Sequence, residues 1–342
     1  MTYAGSDKHN KETPMKLKSY ARLMLRHLLA AALLGSVMPG FAQLTSSRPV
    51  TIVAPFPSGG TPDLAARLLG ESMSAALQRP FLVDPKPGAN GSIGTAHVAQ
   101  SVPDGHTLLL ATLSHVTNPL LQADVRWNPV TDFAGVAMLA TAPVVAVIPS
   151  SLQLDSLRAF VELARARPGK LNYLMPGLGT SMHLNTELLK RTADVDIAAI
   201  PYKGTPQGLP ELLRGDLSFA MLPLSTALPH IKSGKLKALA VVAPKRLDLI
   251  PNVPTMAEAG YAQAQVLSWY ALLAPAKTPA QVLTQLNRAA ADALSDPKVQ
   301  ARLENLGIYP GVAGSPAEVD QMLRAESQRW EKVFEEMKLE KR

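Results

Sequence analysis

The sequence predicts an α/β protein with mostly parallel sheets. Short apolar runs alternate with helical patterns along most of the chain, as in βαβ units. Several of these runs end in Gly- and Pro-containing loops that open directly into a helix. Hydrophobic residues make up 47% and charged residues 18%, the balance of a globular chain rather than a disordered one. At 342 residues the chain is long enough for two sizeable cores.

The elements follow in order. Val50 to Ala54 reads as a buried strand. Pro55, Pro57, Gly59 and Gly60 interrupt it, and Thr61 and Pro62 start a helix to about Gln78, with Thr61 as N-cap. Phe81 to Val83 is a short strand. Pro87 to Gly94 is a second Gly-rich loop, opening a helix through Gln100 with Asn90 or Ser92 as cap. Thr107 to Ala111 is a strand, and Thr112 to Asn118 follows at its carboxyl end. Val136 to Ala140 and Val144 to Ile148 are further apolar runs. Asp155 or Ser156 caps a helix through Arg165, ended by Pro168 and Gly169. Leu171 to Met175 is a strand, and Pro176 to His183 opens a helix to about Arg191. Then come a strand from Ala198 to Pro201, a helix ending at Arg214, a strand from Leu217 to Leu222, a short helix from Ala227 to Lys232 and a strand from Leu236 to Val242. Val266 to Ala274 is a last apolar run. Ala280 to Ser295 and Pro316 to Met337 are closing helices, separated by a break around Gly307 to Gly314.

Two stretches share one chemical character. Val50 to Glu71 and Leu171 to Arg191 each read as strand, Gly-containing loop and helix N-terminus. A helix N-terminus offers unpaired N–H groups and a partial positive charge, and glycine lets a ligand approach the backbone. The first loop taken alone reads better as a tight βα turn, but two such loops suggest an anion gripped from both sides. Ligands of open α/β sheets sit beyond the carboxyl ends of strands, which places Thr112, Ser114, His115 and Asn118 to donate hydrogen bonds.

The first 42 residues have the parts of a secretory signal, after a polar extension that makes Met15 an alternative start. Lys16, Lys18, Arg22 and Arg26 form a basic region, Leu28 to Met38 an apolar one, and Gly40-Phe-Ala42 a small-residue cleavage site before Gln43. Of the 34 basic and 27 acidic residues, six and two fall in this leader, so the remainder carries +3, which is no nucleic-acid footprint. The chain has no cysteine, which excludes disulfides, thiolate metal sites, a Cys nucleophile and a lipoprotein anchor. Gly88, Gly91 and Gly94 miss the dinucleotide spacing, no phosphate-binding G-x-x-x-x-G-K motif occurs, and the seven histidines show no metal-ligand spacing. Ser58, Ser181, His115, His183 and Asp63 offer the parts of a hydrolase triad, but Gly179-Thr-Ser-Met-His183 lacks the second glycine of a nucleophile elbow.

An ordered set of landmarks spans Arg48 to about Lys332: Ile52-Val-Ala-Pro-Phe-Pro-Ser-Gly-Gly60, Pro87-Gly-Ala-Asn-Gly-Ser-Ile-Gly94, Pro103-Asp-Gly-His-Thr-Leu-Leu109, Pro168-Gly-Lys-Leu-Asn-Tyr173, Pro201-Tyr-Lys-Gly204, Leu228-Pro-His-Ile-Lys-Ser-Gly-Lys-Leu236, Pro251-Asn-Val-Pro-Thr-Met-Ala-Glu-Ala-Gly260 and Trp269-Tyr-Ala-Leu-Leu-Ala-Pro275. Together they resemble the Bug family, the periplasmic substrate-binding proteins of tripartite tricarboxylate transporters. The resemblance implies a two-lobed, type II-like periplasmic-binding-protein fold with crossover strands near Val144–Ile148 and Val266–Ala274. It implies one lobe of residues 43–147 with 266–342 and another of 148–265. It also implies a small carboxylate held in the cleft by Phe56, Pro57, Ser58, Gly59, Gly60, Thr61 and Asp63 of one loop, and by Gly177, Gly179, Thr180, Ser181 and His183 of the other.

The implied partners are that ligand and the membrane components of a transporter, for a monomer in the periplasm with no cofactor, metal, nucleic acid or catalysis. A sensor presenting its closed form to a signalling partner is the alternative, with a hydrolase behind it. Two departures bear on the ligand. Leu113 stands where family members often carry Asn, and Leu222-Pro223 where an Asp–Asn pair is common. A ligand amine then lacks a counter-charge, so the expectation is a less polar carboxylate, aromatic or alkyl-substituted. Met175, Leu178 and Met182 flank the second loop as candidates for an apolar wall, with core packing the alternative for each.

Overall fold

A computed structural model describes residues 1–5, 48–337 and 341. The signal segment expected up to Ala42 lies almost wholly outside the described residues. The strands form two sheets. The first contains β1 (Val50–Ala54), β2 (Phe81–Pro85), β3 (Thr107–Ala111), β4 (Phe133–Thr141), β10 (Trp269–Pro275) and the two-residue β11 (Tyr309–Pro310), in the order β11-β4-β10-β3-β1-β2. The second contains β5 (Val144–Pro149), β6 (Asn172–Met175), β7 (Ala198–Pro201), β8 (Phe219–Pro223) and β9 (Leu236–Val242), in the order β7-β6-β8-β5-β9.

Both sheets are covered on both faces, which explains why their strands read as unbroken apolar runs. Side chains alternate across a strand. Ile52, Leu108 and Leu110 therefore pack with α1 (Thr61–Leu77) and α8 (Ala280–Ser295) on one side. Val53, Leu109 and Ala111 pack with α3 (Ser114–Leu121) and α10 (Pro316–Met337) on the other. In the second sheet Val144, Ala146 and Ile148 face α4 (Leu157–Ala166) and α5 (Ser181–Ala193). Val145 and Val147 face α6 (Thr205–Arg214) and α7 (Leu224–Lys232). Leu184 of α5 is buried in a core of the first lobe, so apolar packing also joins the lobes.

The mostly parallel expectation is corrected: both sheets are mixed. β1 pairs parallel with β2 and β3, and β6 with β7 and β8. β10 runs antiparallel to β3 and β4, and β5 antiparallel to β8 and β9. The strands where the chain enters each sheet from the other one carry the reversed direction. The first crossover was expected near Val144–Ile148. β5 pairs within the second sheet from Val144 onward, so the chain changes sheets at Ala142-Pro143. It returns through residues 243–268.

Two helices depart from the sequence reading. α3 contains Pro119, and α9 (Pro297–Asn305) fills a stretch between the two expected closing helices, ahead of the break at Gly307 to Gly314, to which no element was assigned. The remaining helix, α2 (Ser92–Ala99), has Gly91 as N-cap and no side-chain cap, so neither Asn90 nor Ser92 caps it. No helix among the described residues is long and apolar enough to cross a membrane.

Candidate functional site

Between the lobes lies a cavity of about 700 Å³, part of it open solvent at the mouth. Its walls are built by helix starts. The first residues of α1, α3, α5 and α6 are Thr61, Ser114, Ser181 and Thr205, and all four line it. Two of these helices belong to each lobe. Gly60 has extended backbone and Pro62 sits in the first turn, which fixes the start of α1. Thr180 caps α5 by accepting from the His183 N–H at 3.3 Å, and donates to the Gly177 carbonyl at 2.9 Å. Gly204, at φ +129°, brings α6 to the cavity in a conformation that L side chains rarely adopt.

Hydroxyls at the cavity are tied into a network. Ser181 Oγ donates to Ser268 Oγ at 3.1 Å, and Thr61 Oγ1 meets Ser225 Oγ across the lobes at 2.5 Å. The Tyr270 hydroxyl hydrogen-bonds to Thr61 and Ser268. Burial nevertheless pushes Tyr270 far above the usual phenol range, so it stays protonated. Leu113, Met182, Phe56 and Pro223 supply apolar wall. None of the described residues lining the cavity is Asp, Glu, Lys, Arg or His. The one acid in the first turn of these four helices, Asp63, is taken up locally: Arg67 donates to its two oxygens at 2.9 and 3.0 Å. The Asp63 hydrogen bond in turn raises the Arg67 guanidinium above its ordinary value. Four helix N-termini thus face a space with no fixed side-chain charge of either sign.

Of the residues expected at the site, Phe56, Pro57, Gly60, Thr61, Thr112, Ser114, Thr180 and Ser181 line the cavity. Ser58 and Gly59 are exposed at the loop tip. Asp63 shapes that loop, accepting from the Gly59 N–H at 3.0 Å. His183 is also structural, with Nδ1 accepting from the Gly179 N–H at 3.1 Å. Gly177 and Gly179 pack against the first lobe and do not line the cavity. His115 is buried against Trp127, its Nε2 2.8 Å from the Pro129 carbonyl, and Asn118 bonds to Asn90 and Ser92. Met182 reaches the cavity, whereas Met175 and Leu178 pack into cores. Leu222 is fully buried and does not line the cavity; its neighbour Pro223 does. Thr205, Thr226, Ser268 and Tyr270 were absent from the sequence expectation. For Thr205 a signal existed, because Gly204-Thr-Pro206 repeats Gly60-Thr-Pro62.

Two α/β lobes meeting around such a cavity have the architecture of a ligand-capturing binding protein. The family described as the tripartite tricarboxylate transporter family receptor, TctC, matches residues 65–339. BugT of Bordetella pertussis is 34% identical over 304 residues, covering 88% of this chain and 93% of BugT. The structure of the periplasmic binding protein BugD matches with a TM-score of 0.82 at 31% identity, covering 87% of this chain and 100% of BugD. Rpa4515 of R. palustris, solved with adipate, matches at 0.81 and 35% identity over 85% of this chain and 97% of its own. MatC from Rhodopseudomonas palustris, solved with bound malate, matches at 0.77 and 32% identity over 84% and 98%. The chain belongs to the TctC/Bug family of periplasmic solute-binding proteins, which are transport receptors and not enzymes.

Proposed function

We propose that this protein captures a small carboxylate with an apolar body, alkyl or aromatic, in the interlobe cavity and delivers it to the membrane components of a tripartite transporter. The observation that carries this reading is the convergence of four helix N-termini on a cavity without charged side chains. Each N-terminus contributes up to about 2 kcal/mol toward an anion in a partly buried geometry. Hydrogen bonds to a charged group add roughly 1.5–3 kcal/mol each. A few such contacts, less the cost of association, reach the roughly −8 kcal/mol of micromolar binding. An ammonium group has no carboxylate to meet in this cavity, and Leu113, Met182 and Pro223 favour an apolar body over a hydroxylated one. The adipate and malate held by relatives of R. palustris support a carboxylate ligand, and adipate, which unlike malate carries no hydroxyl, also matches the apolar body.

The same proposal takes the leader before Gln43 as a cleaved export signal and the mature chain as a monomer. Its moving lobes are 43–147 with 266–342 and 148–265, with the first boundary shifted to the sheet change at Ala142-Pro143. The test is a thermal-shift and calorimetric panel of alkyl and aromatic mono- and dicarboxylates, hydroxy acids and amino acids. A ligand at a hundred times its dissociation constant stabilises the folded state by about 2.7 kcal/mol. Selective shifts with unsubstituted carboxylates are expected. Tighter binding of glutamate or aspartate than of the matching dicarboxylates would overturn the ligand class.

A further inference from the structure

Gly177 and Gly179 stand in the loop that leads into α5, yet neither lines the cavity. Each instead sits where a methyl group would strike the first lobe. A Cβ on Gly177 would collide with Asn90 Oδ1. A Cβ on Gly179 would come within 2.6 Å of Leu121 Cδ1 and 2.9 Å of Thr117 Oγ1. The backbone exposed by these glycines is used at once. Asn90 Nδ2 donates to the Leu178 carbonyl at 2.5 Å, and Thr117 Oγ1 donates to the Gly179 carbonyl at 2.9 Å.

The donors are held ready by their own lobe. Asn90 is in the left-handed region, at φ 53°. Its amide also donates to Asn118 Oδ1 at 2.8 Å, while Asn118 Nδ2 returns a bond to the Asn90 carbonyl at 2.9 Å. Thr117 is fully buried on α3, one turn from the cavity-lining Ser114. Leu178 packs beside these bonds on the first-lobe core that contains Leu121.

From this geometry we infer that Asn90 and Thr117, docked on the carbonyls of Leu178 and Gly179, form a closure latch that sets how much of the closed form exists before ligand arrives. The latch does not touch the ligand and works whatever the ligand's chemistry. A protein whose competent form is only partly populated binds with its affinity reduced by that fraction, so the latch positions the lobes and tunes affinity from outside the cavity. Its glycines are required by the approach of one lobe to the other.

The test needs no ligand. The chain has no cysteine, so Lys232→Cys on α7 and Arg288→Cys on α8, both exposed, give one spin label on each lobe of the purified protein. Pulsed dipolar spectroscopy then reads the interlobe distance distribution. Thr117→Val removes the interlobe bond to Gly179, along with the longer bond to the Leu113 carbonyl at 3.3 Å within α3, at nearly constant shape and should lower the closed-to-open ratio about fivefold. Thr117→Ser keeps the donor and should retain the parent distribution. Gly179→Ala should open the lobes further. If Gly179→Ala does not fold, the Thr117 pair decides. Distributions unchanged in Thr117→Val overturn the latch, and so does an equal shift in Thr117→Val and Thr117→Ser, which would assign the effect to packing.

Discussion

His115 shows how a polar side chain that sequence reading offered to a ligand is spent on the fold. It stacks on Trp127 with ring centroids 5.1 Å apart and meets the Phe133 edge at 4.6 Å. Its Nδ1 is buried without a hydrogen-bond partner. Burial pushes the imidazole down from 6.5 to about 4, against the opposing pull of the Pro129 carbonyl. Between these values the unfolded chain takes up a proton that the folded chain refuses. The stability tied to neutral His115 is therefore full above pH 6.5 and is lost as pH falls toward 4. Over that window it amounts to about 3 kcal/mol. Urea unfolding of the parent and of His115→Phe at about pH 7.5 and about pH 4 checks this: the parent should lose that much more stability on acidification. Equal losses would show that His115 is not the titrating group. The sequence marks such residues as polar and near a strand end, but not which way they face. Ser114 at the start of α3, and Thr112 just before it, turn into the cavity, while His115 on the same helix turns into a core.

At the scale of elements, most helices were legible, including α6 and α7 with Pro210 and Pro229 inside them, but their caps were read less well: Gly60, not the expected Thr61, is the N-cap of α1. Gly60-Thr-Pro62 and Gly204-Thr-Pro206 each place glycine at the N-cap and proline in the first turn. The pattern is a local backbone requirement, so one sequence suffices to see it. α3 was missed because Pro119 forfeits a helical hydrogen bond, a loss that tertiary burial of Val116 and Leu121 offsets. The glycines of residues 177–179 were legible as a loop, but their partner was not, since Asn90 and Thr117 are remote in sequence. The same holds for Gly135 in β4, where α10 rests on the strand. A Cβ there would lie 2.6 Å from the Pro316 carbonyl oxygen and from Val319 Cβ, while the Gly135 N–H donates to Asp320 Oδ1 at 2.7 Å. Gly135→Ala must push α10 off the sheet, at a cost of about 1–3 kcal/mol, measurable by urea unfolding. Wild-type stability in this variant would mean that α10 has room to shift freely.

For the whole molecule, alternating apolar strands and helices made the α/β class readable, because burial on both faces of a sheet leaves continuous hydrophobic runs. Strand direction was not readable, because hydrophobicity does not encode it. It follows from where the chain changes lobes. That assembly also dictates how the cavity responds to pH. The anion preference proposed for it would come from backbone dipoles, which do not titrate, and from hydroxyls. Among the described residues of its lining the one titratable group, Tyr270, is pushed by burial well above the usual phenol range. Affinity for a fully ionised carboxylate should therefore stay constant from about pH 7 to 9, where carboxylates with an ordinary pKa near 4 remain charged. A site built on lysine would instead weaken toward the alkaline end as the ammonium began to lose its proton. Calorimetric titration of whichever carboxylate gives the largest thermal shift, at pH 7, 8 and 9 and constant ionic strength, distinguishes the two. A flat profile is the signature of helix N-termini and neutral donors. A tenfold change across that range would require a titrating group to reach the ligand and would refute a cavity whose electrostatics are carried by backbone dipoles and hydroxyls alone.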